Sequence, residues 1–263
     1  MRNRSMKLNR DRTIGRVLYI VEGSKTEFVL LQKIFCDVLG FEYIEKRRNR
    51  PDFFCKRSNP NSTIAVINTE NSNIQDISKD DYLDHLFETL INQYDFPVDK
   101  SAIYYLFDRD PASNHDPDMV EQYINTLQDP YDNEDDMKAG CLLLSYPSIE
   151  SYTISSFQNN VYQINLRFGH HAKTYMGQHR EIQMNKISEA TLLHAADEFA
   201  AYLQALHLDW DIDAFAETSR TVFHHQEHNY ASRGSYDLFS MLTLSLLQLG
   251  ILEMEEKTPP SHL

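Results

Sequence analysis

Hydrophobic and polar positions along the chain follow two alternating rhythms. Short apolar, β-branched runs at Val17 to Val21, Thr63 to Ile67, Ala102 to Phe107 and Cys141 to Leu144 read as strands buried on both faces. A shorter strand is expected at Phe41 to Ile44. Between them the apolar positions recur at helical spacing. Phe28, Val29, Leu31, Ile34, Phe35, Val38 and Leu39 form one such face, from about Lys25 until Gly40 stops it. A second helix opens at Asp80 or Asp81 and uses Tyr82, Leu83, Leu86, Phe87, Leu90, Ile91 and Tyr94. A third starts at Asp116-Pro117, with Asp as cap and Pro in the first turn, and runs to about Leu127. Pro147 and Ser148 start a short fourth helix. Strands alternating with helices to about residue 160 imply an α/β fold, with a mostly parallel sheet and helices on both faces.

Beyond residue 160 the alternation fades. Residues 167 to 187, with Gly169, His170, His171, Lys173, His179, Arg180 and Lys186, read as a loop region. Helices are expected at roughly 188–207, 211–227 and 234–249, the last apolar on most sides and therefore buried. The expected organisation is an α/β domain over 14–160, a mainly helical C-terminal extension over 161–255, and flexible tails at 1–13 and 256–263.

Charge refines this picture. The chain of 263 residues has a net charge of −14, which argues against general coating of nucleic acid. The charge is unevenly spread: residues 1–57 hold 14 Lys/Arg and 7 Asp/Glu, and the rest holds 11 and 32. A basic run of Arg47, Arg48, Arg50, Lys56 and Arg57 surrounds Phe53 and Phe54. Cations interleaved with aromatics can track a nucleic-acid backbone and stack on bases; the alternative is a surface loop with both rings tucked inward. The acidic run from Asp129 to Asp136 reads as a solvated loop. Cys36, Cys55 and Cys141 are far apart and are expected to be free thiols. No run approaches a membrane span and no apolar signal segment follows the basic N-terminus, so the expected location is the cytoplasm, without a membrane.

The chemistry concentrates at strand ends. Glu22 closes the first strand, before Gly23 for a sharp turn and Ser24 as a helix cap. Asp108 and Asp110 close the strand at 102–107, and Glu150 follows the strand at 141–144. Ligands of open α/β sheets bind at the carboxyl ends of strands. Carboxylates delivered there suit Mg²⁺ (Mn²⁺ is the alternative), a hard cation that shares its oxygens with phosphate. Lys25 lies at a helix start, where backbone N–H groups favour an anion; the alternative is a solvated side chain. His224 and His228 share a helix face, but surface or capping histidines are the simpler reading of Phe223-His-His-Gln-Glu-His228.

Ile20-Val-Glu-Gly23 with Thr26-Glu27, followed by Leu106-Phe-Asp-Arg-Asp110, resembles the Toprim domain of topoisomerases, primases, small nucleases and OLD-type nucleases. Leu143-Leu-Ser-Tyr-Pro-Ser-Ile-Glu150 is similar to an Asn-Pro-x-x-Glu segment of RloB-like and abortive-infection Toprim proteins, with Ser145-Tyr-Pro in place of the asparagine. The resemblance covers about residues 16 to 158. It implies a Mg²⁺-dependent nuclease acting on DNA or RNA, tRNA included, as a toxic effector against phage. Glu22, Asp108 and Asp110 would be catalytic and metal-binding, with Glu150 and Glu27 as auxiliary ligands, and Arg109 would reach a phosphate or form a solvent-facing salt bridge. The chain carries no Gly-x-x-x-x-Gly-Lys loop, so the resemblance implies a separately encoded ATPase partner. Self-association is left open. A non-catalytic Toprim-fold module that docks on a partner is the alternative.

Overall fold

The computed structural model describes residues 4–23, 25–44, 52–68, 88, 91–92, 98–131 and 140–256. Ser24, Arg47, Arg48, Arg50, the acidic residues 132–136 and most of the helix expected after Asp80 lie outside them. Of that helix, Glu88, Ile91 and Asn92 are described, and they are helical.

The core is a mixed, largely parallel sheet. Its central strands are β2 (Arg16–Val21), β5 (Asn59–Asn68), β6 (Ser101–Asp108) and β8 (Gly140–Tyr146). They lie in the order β5-β2-β6-β8, all parallel. Val17 to Val21 and Ala102 to Phe107 are each at most 1% exposed, so both faces of the sheet are covered. That is why these runs show no alternation. Antiparallel strands finish both edges. β4 (Asp52–Lys56) forms a hairpin with β5 and carries β3 (Glu42–Ile44) outside it. β7 (Gln128–Asp129) pairs with β8, and so does β11 (Phe239–Ser240).

The helix after β2, α1 (Thr26–Gln32), continues as a π-helical stretch at Lys33–Val38. After β6, α2 (Pro117–Thr126) begins as expected: the Asp116 side chain accepts from the N–H groups of Asp118 (3.0 Å) and Met119 (3.2 Å). The short α3 (Glu150–Ser155) follows β8 through a cis Tyr146–Pro147 bond.

The C-terminal region departs from expectation. Where a loop was expected, β9 (Asn165–Leu166) leads into α4 (Gly169–Gln178). α5 (Glu189–Ala205) matches, while α6 (Ala216–Arg233) lies later than the expected 211–227. The apolar run 234–249 splits into β10 (Tyr236–Asp237), which pairs with β9, then β11 and α7 (Leu242–Gln248). Strand pairing can bury such a run as completely as a helix can.

One apolar cluster joins residues of both expected domains, from Val17 and Tyr104 to Phe199, Phe223 and Leu246. On the sheet, Tyr19 stacks on Tyr104 at 5.4 Å and donates to Ser245 Oγ of α7 at 2.8 Å. The C-terminal helices therefore complete the core. The expected loose N-terminal tail is also structured in part: β1 (Arg4–Leu8) pairs antiparallel with β12 (Leu252–Glu256), which buries Leu8 beside Leu252. Among the described residues no helix is long and apolar enough to cross a membrane, and the three cysteines are free.

Candidate functional site

In chain order the parallel strands run 2-1-3-4 across the sheet, so the chain changes direction of travel between β2 and β6. At such a switch point the strand ends open into a crevice suited to ligands. Glu22 and Asp108 stand at the carboxyl ends of these two strands.

Hydrogen bonds stitch the crevice together. The Glu22 N–H extends the strand ladder to the Leu106 carbonyl at 3.3 Å. The Glu22 side chain then leans across to β6, where its Oε2 accepts from the Asp108 N–H at 2.9 Å. Asp108 Oδ1 in turn accepts from the Ile149 N–H at 2.8 Å, ahead of α3. Glu27 returns from the first turn of α1, and its Oε1 accepts from the Gly23 N–H at 3.1 Å. A Cβ at Gly23 would press on that carboxylate and push it aside. Glu150, in the first turn of α3, accepts from Ser148 Oγ at 2.7 Å.

Glu22, Glu27, Asp108 and Glu150 line one cleft of about 310 Å³, with exposed Lys25 and Lys173 among its other walls. Lys173 comes from α4, and its ammonium lies 3.7 Å from Glu150 Oε1. Sequence reasoning missed its role because α4 read as a loop.

Crowded, desolvated carboxylates hold their protons. Burial raises the Glu22 carboxyl to about 7, against the opposing bond from Asp108 N–H; repulsion from Glu27 and Asp110 adds to it. Burial pushes Asp108 well above the usual carboxylate range, reinforced by Glu22, Glu27 and Glu150. Glu27 is raised too, chiefly by burial, with Glu150 adding and Lys173 opposing.

Asp110 behaves differently. Its Oδ1 accepts from the Ala112 N–H at 3.0 Å and its Oδ2 from the Gly169 N–H at 2.9 Å. It fastens the turn to the start of α4 and does not line the cleft. Arg109, expected to meet solvent or a phosphate, is instead an interior residue. It is 2% exposed, donates from Nη1 to the Asn114 carbonyl (2.7 Å) and pairs through Nη2 with Glu227 on α6 (2.9 Å). Its guanidinium lies over the Tyr236 ring at 5.8 Å.

Of the basic run, the described Lys56 and Arg57 do not line the cleft. Lys56, expected at a nucleic-acid surface, is turned inward, where its ammonium bonds the Arg10 carbonyl over the Phe41 ring. Phe54 is fully buried against Phe28 and Phe35. Arg57 is exposed and pairs with Glu42 at 2.6 Å. Of the histidine run, His224 meets Glu121 at 3.1 Å and His225 meets Asp237 at 3.3 Å.

Among the described residues, no three His, Cys, Asp or Glu side chains form a group arranged to hold a metal ion. The donor chemistry nevertheless fits a hard divalent cation. The cleft offers carboxylates, of which burial and mutual repulsion raise Glu22 and Asp108 above the ordinary range, a cost of ionisation that a bound cation would relieve. Comparison with protein-family models, with curated proteins and with solved structures found no match.

Proposed function

We propose that this chain is a Mg²⁺-dependent nuclease of the Toprim type, cleaving phosphodiester bonds in DNA or RNA. One observation carries the reading. Two strands flanking the switch point of a parallel sheet each end in a half-buried carboxylate, and both open into one cleft with two lysines. The sequence resemblance at Glu22, Glu27, Asp108, Asp110 and Glu150 points the same way.

A divalent cation bound there would neutralise phosphate charge and make water more acidic. Glu22, Glu27, Asp108 and Glu150 are the residues to hold it, with Asp110 bracing the Asp108 turn. Glu22, at the end of β2, would either hold the cation or exchange a proton with an attacking water. Lys25 and Lys173 offer charge to the phosphate oxygens. Burial keeps the Asp108 and Glu27 carboxylates poorly solvated and raises the gain from a cation.

Resemblance alone supports the wider role: a toxic effector in anti-phage defence, in the cytoplasm, restrained by a separately encoded ATPase. The second reading, a binding module without turnover, has its own support, since one oxygen each of Glu22, Glu27 and Asp108 is spent on a backbone N–H and no metal-ready group exists among the described residues. The test is incubation with plasmid DNA, single-stranded DNA and total tRNA in Mg²⁺ or Mn²⁺. Cleavage by the wild type and none by a folded Glu22→Gln variant supports the nuclease. Partner binding and toxicity that survive Glu22→Gln unchanged favour the binding module.

A further inference from the structure

Beside the cleft, the turn into α4 builds a cluster that the carboxylate chemistry does not use. Arg167 and His170 are exposed, and Phe168 and His171 are half-buried. The Arg167 guanidinium lies over the Phe168 ring at 4.8 Å. His170 stacks on the same ring at 5.5 Å with 17° between planes, and His171 meets His170 edge-on at 4.2 Å. Four flat groups are thus collected within five consecutive residues, with Arg167 and His170 on the exposed side.

Two contacts of Gly169 and the position of Lys173 on the same helix place this cluster beside the cleft. The Gly169 N–H, between Phe168 and His170, donates to Asp110 Oδ2 at 2.9 Å. The Gly169 backbone packs so closely on Ser148 that a Cβ would lie 3.1 Å from Ser148 Cβ, and Ser148 is the residue that holds Glu150. Lys173, three residues after His170 and so its neighbour on the helix surface, lines the cleft itself.

We propose that Arg167, Phe168 and His170 form a stacking platform for an unpaired nucleobase, and that the substrate at the cleft is single-stranded nucleic acid. The substrate assignment rests on the nuclease reading; the platform does not. A base inside a duplex is already stacked on its neighbours and has no free face for a protein ring. An unpaired base has one, and stacking on aromatic and guanidinium planes is how proteins hold single strands with little sequence preference. Lys173 and Lys25 then take the adjoining phosphates. The platform lies far along the chain from the basic run at 46–57.

The test is fluorescence anisotropy of fluorescein-labelled 12-nucleotide oligothymidylate, 12-nucleotide oligouridylate and a 12-base-pair DNA duplex. Each is titrated with the full chain, with Arg167→Ala/His170→Ala and with Phe168→Leu, without added metal so that binding is separated from cleavage. Stacking strength sets the expected loss at roughly tenfold for single strands with either variant. The duplex is expected to bind at least about tenfold more weakly and to ignore both changes. The thymidylate and uridylate arms decide between DNA and RNA. If Phe168→Leu does not fold, the double variant, whose two sites are exposed, decides alone. Wild-type affinity of the folded double variant, preference for the duplex, or no binding of either single strand would overturn the platform. Ring-dependent binding of single strands with no cleavage in Mg²⁺ or Mn²⁺ would leave the platform standing and sink the nuclease reading.

Discussion

The crevice between β2 and β6 and the hairpin of β4 and β5 both carry residues whose types suggest function, yet the fold treats them in opposite ways. In the crevice, carboxylates that folding makes uncomfortable are gathered and left facing a cleft. In the hairpin, Lys56 and Phe54 are satisfied inside the protein and Arg57 is tied to a surface partner. The difference lies in backbone position. Within a strand, side chains alternate, so Phe54 and Lys56 share the buried face of β4 whatever their chemistry. Past a strand's last rung, turns aim the side chains, and Glu22 and Asp108 are free to converge.

The sharpest way to break this contrast is to neutralise each region in turn. Glu22→Gln or Asp108→Asn is expected to lower metal-dependent cleavage by about 10²–10⁴-fold. Neither should destabilise the metal-free protein, because each amide replaces a carboxyl whose anion the site disfavours. Denaturant melts and single-turnover cleavage read the two effects separately. Phe54→Ala should do the reverse. Emptying that core position is expected to cost about 3–5 kcal/mol in urea unfolding while cleavage per folded molecule stays unchanged.

A pH series sharpens the comparison next. Glu22 ionises at about 7 in the folded protein and in the ordinary carboxylate range when unfolded, so the folded state binds the extra proton in between. Its stabilisation of the metal-free fold is therefore full at pH 4 and is lost as pH rises towards 7. The melting temperature should fall over that window, and Glu22→Gln should flatten the decline. Mg²⁺ affinity should rise over the same range, since binding displaces protons. The smallest effect is expected from Arg57→Ala. Its exposed pair with Glu42 is worth about 0–1 kcal/mol, and cleavage should not change.

These outcomes also show what could be read from residues alone. The central strands were legible because Val17 to Val21 and Ala102 to Phe107 are unbroken apolar runs that must be covered on both faces. Glu22 and Asp108 were legible because each stands at the end of such a run, and Glu150 because a helix start follows the strand before it, whereas Asp110, two residues on, turns to Gly169. Arg109 was not. Its partner Glu227 is 118 residues away, and no local pattern tells a buried guanidinium from a solvated one. Lys173 escaped for a similar reason: α4 has glycine at its first position and polar residues on most sides, so helical periodicity is weak. The run at 234–249 misled because pairing of Phe239 and Ser240 with Tyr146 and Ser145 depends on a strand almost a hundred residues earlier.

The most direct measurement is a calorimetric Mg²⁺ titration of the purified chain and of the Glu22→Gln/Asp108→Asn variant, each then incubated with single-stranded DNA and total tRNA. The expected result is saturable binding by the wild type, with cleavage of one substrate, and the loss of both in a variant that still folds. Equal Mg²⁺ binding by the two proteins, or no binding by the wild type even with nucleic acid present, would contradict a metal-dependent site at the ends of β2 and β6.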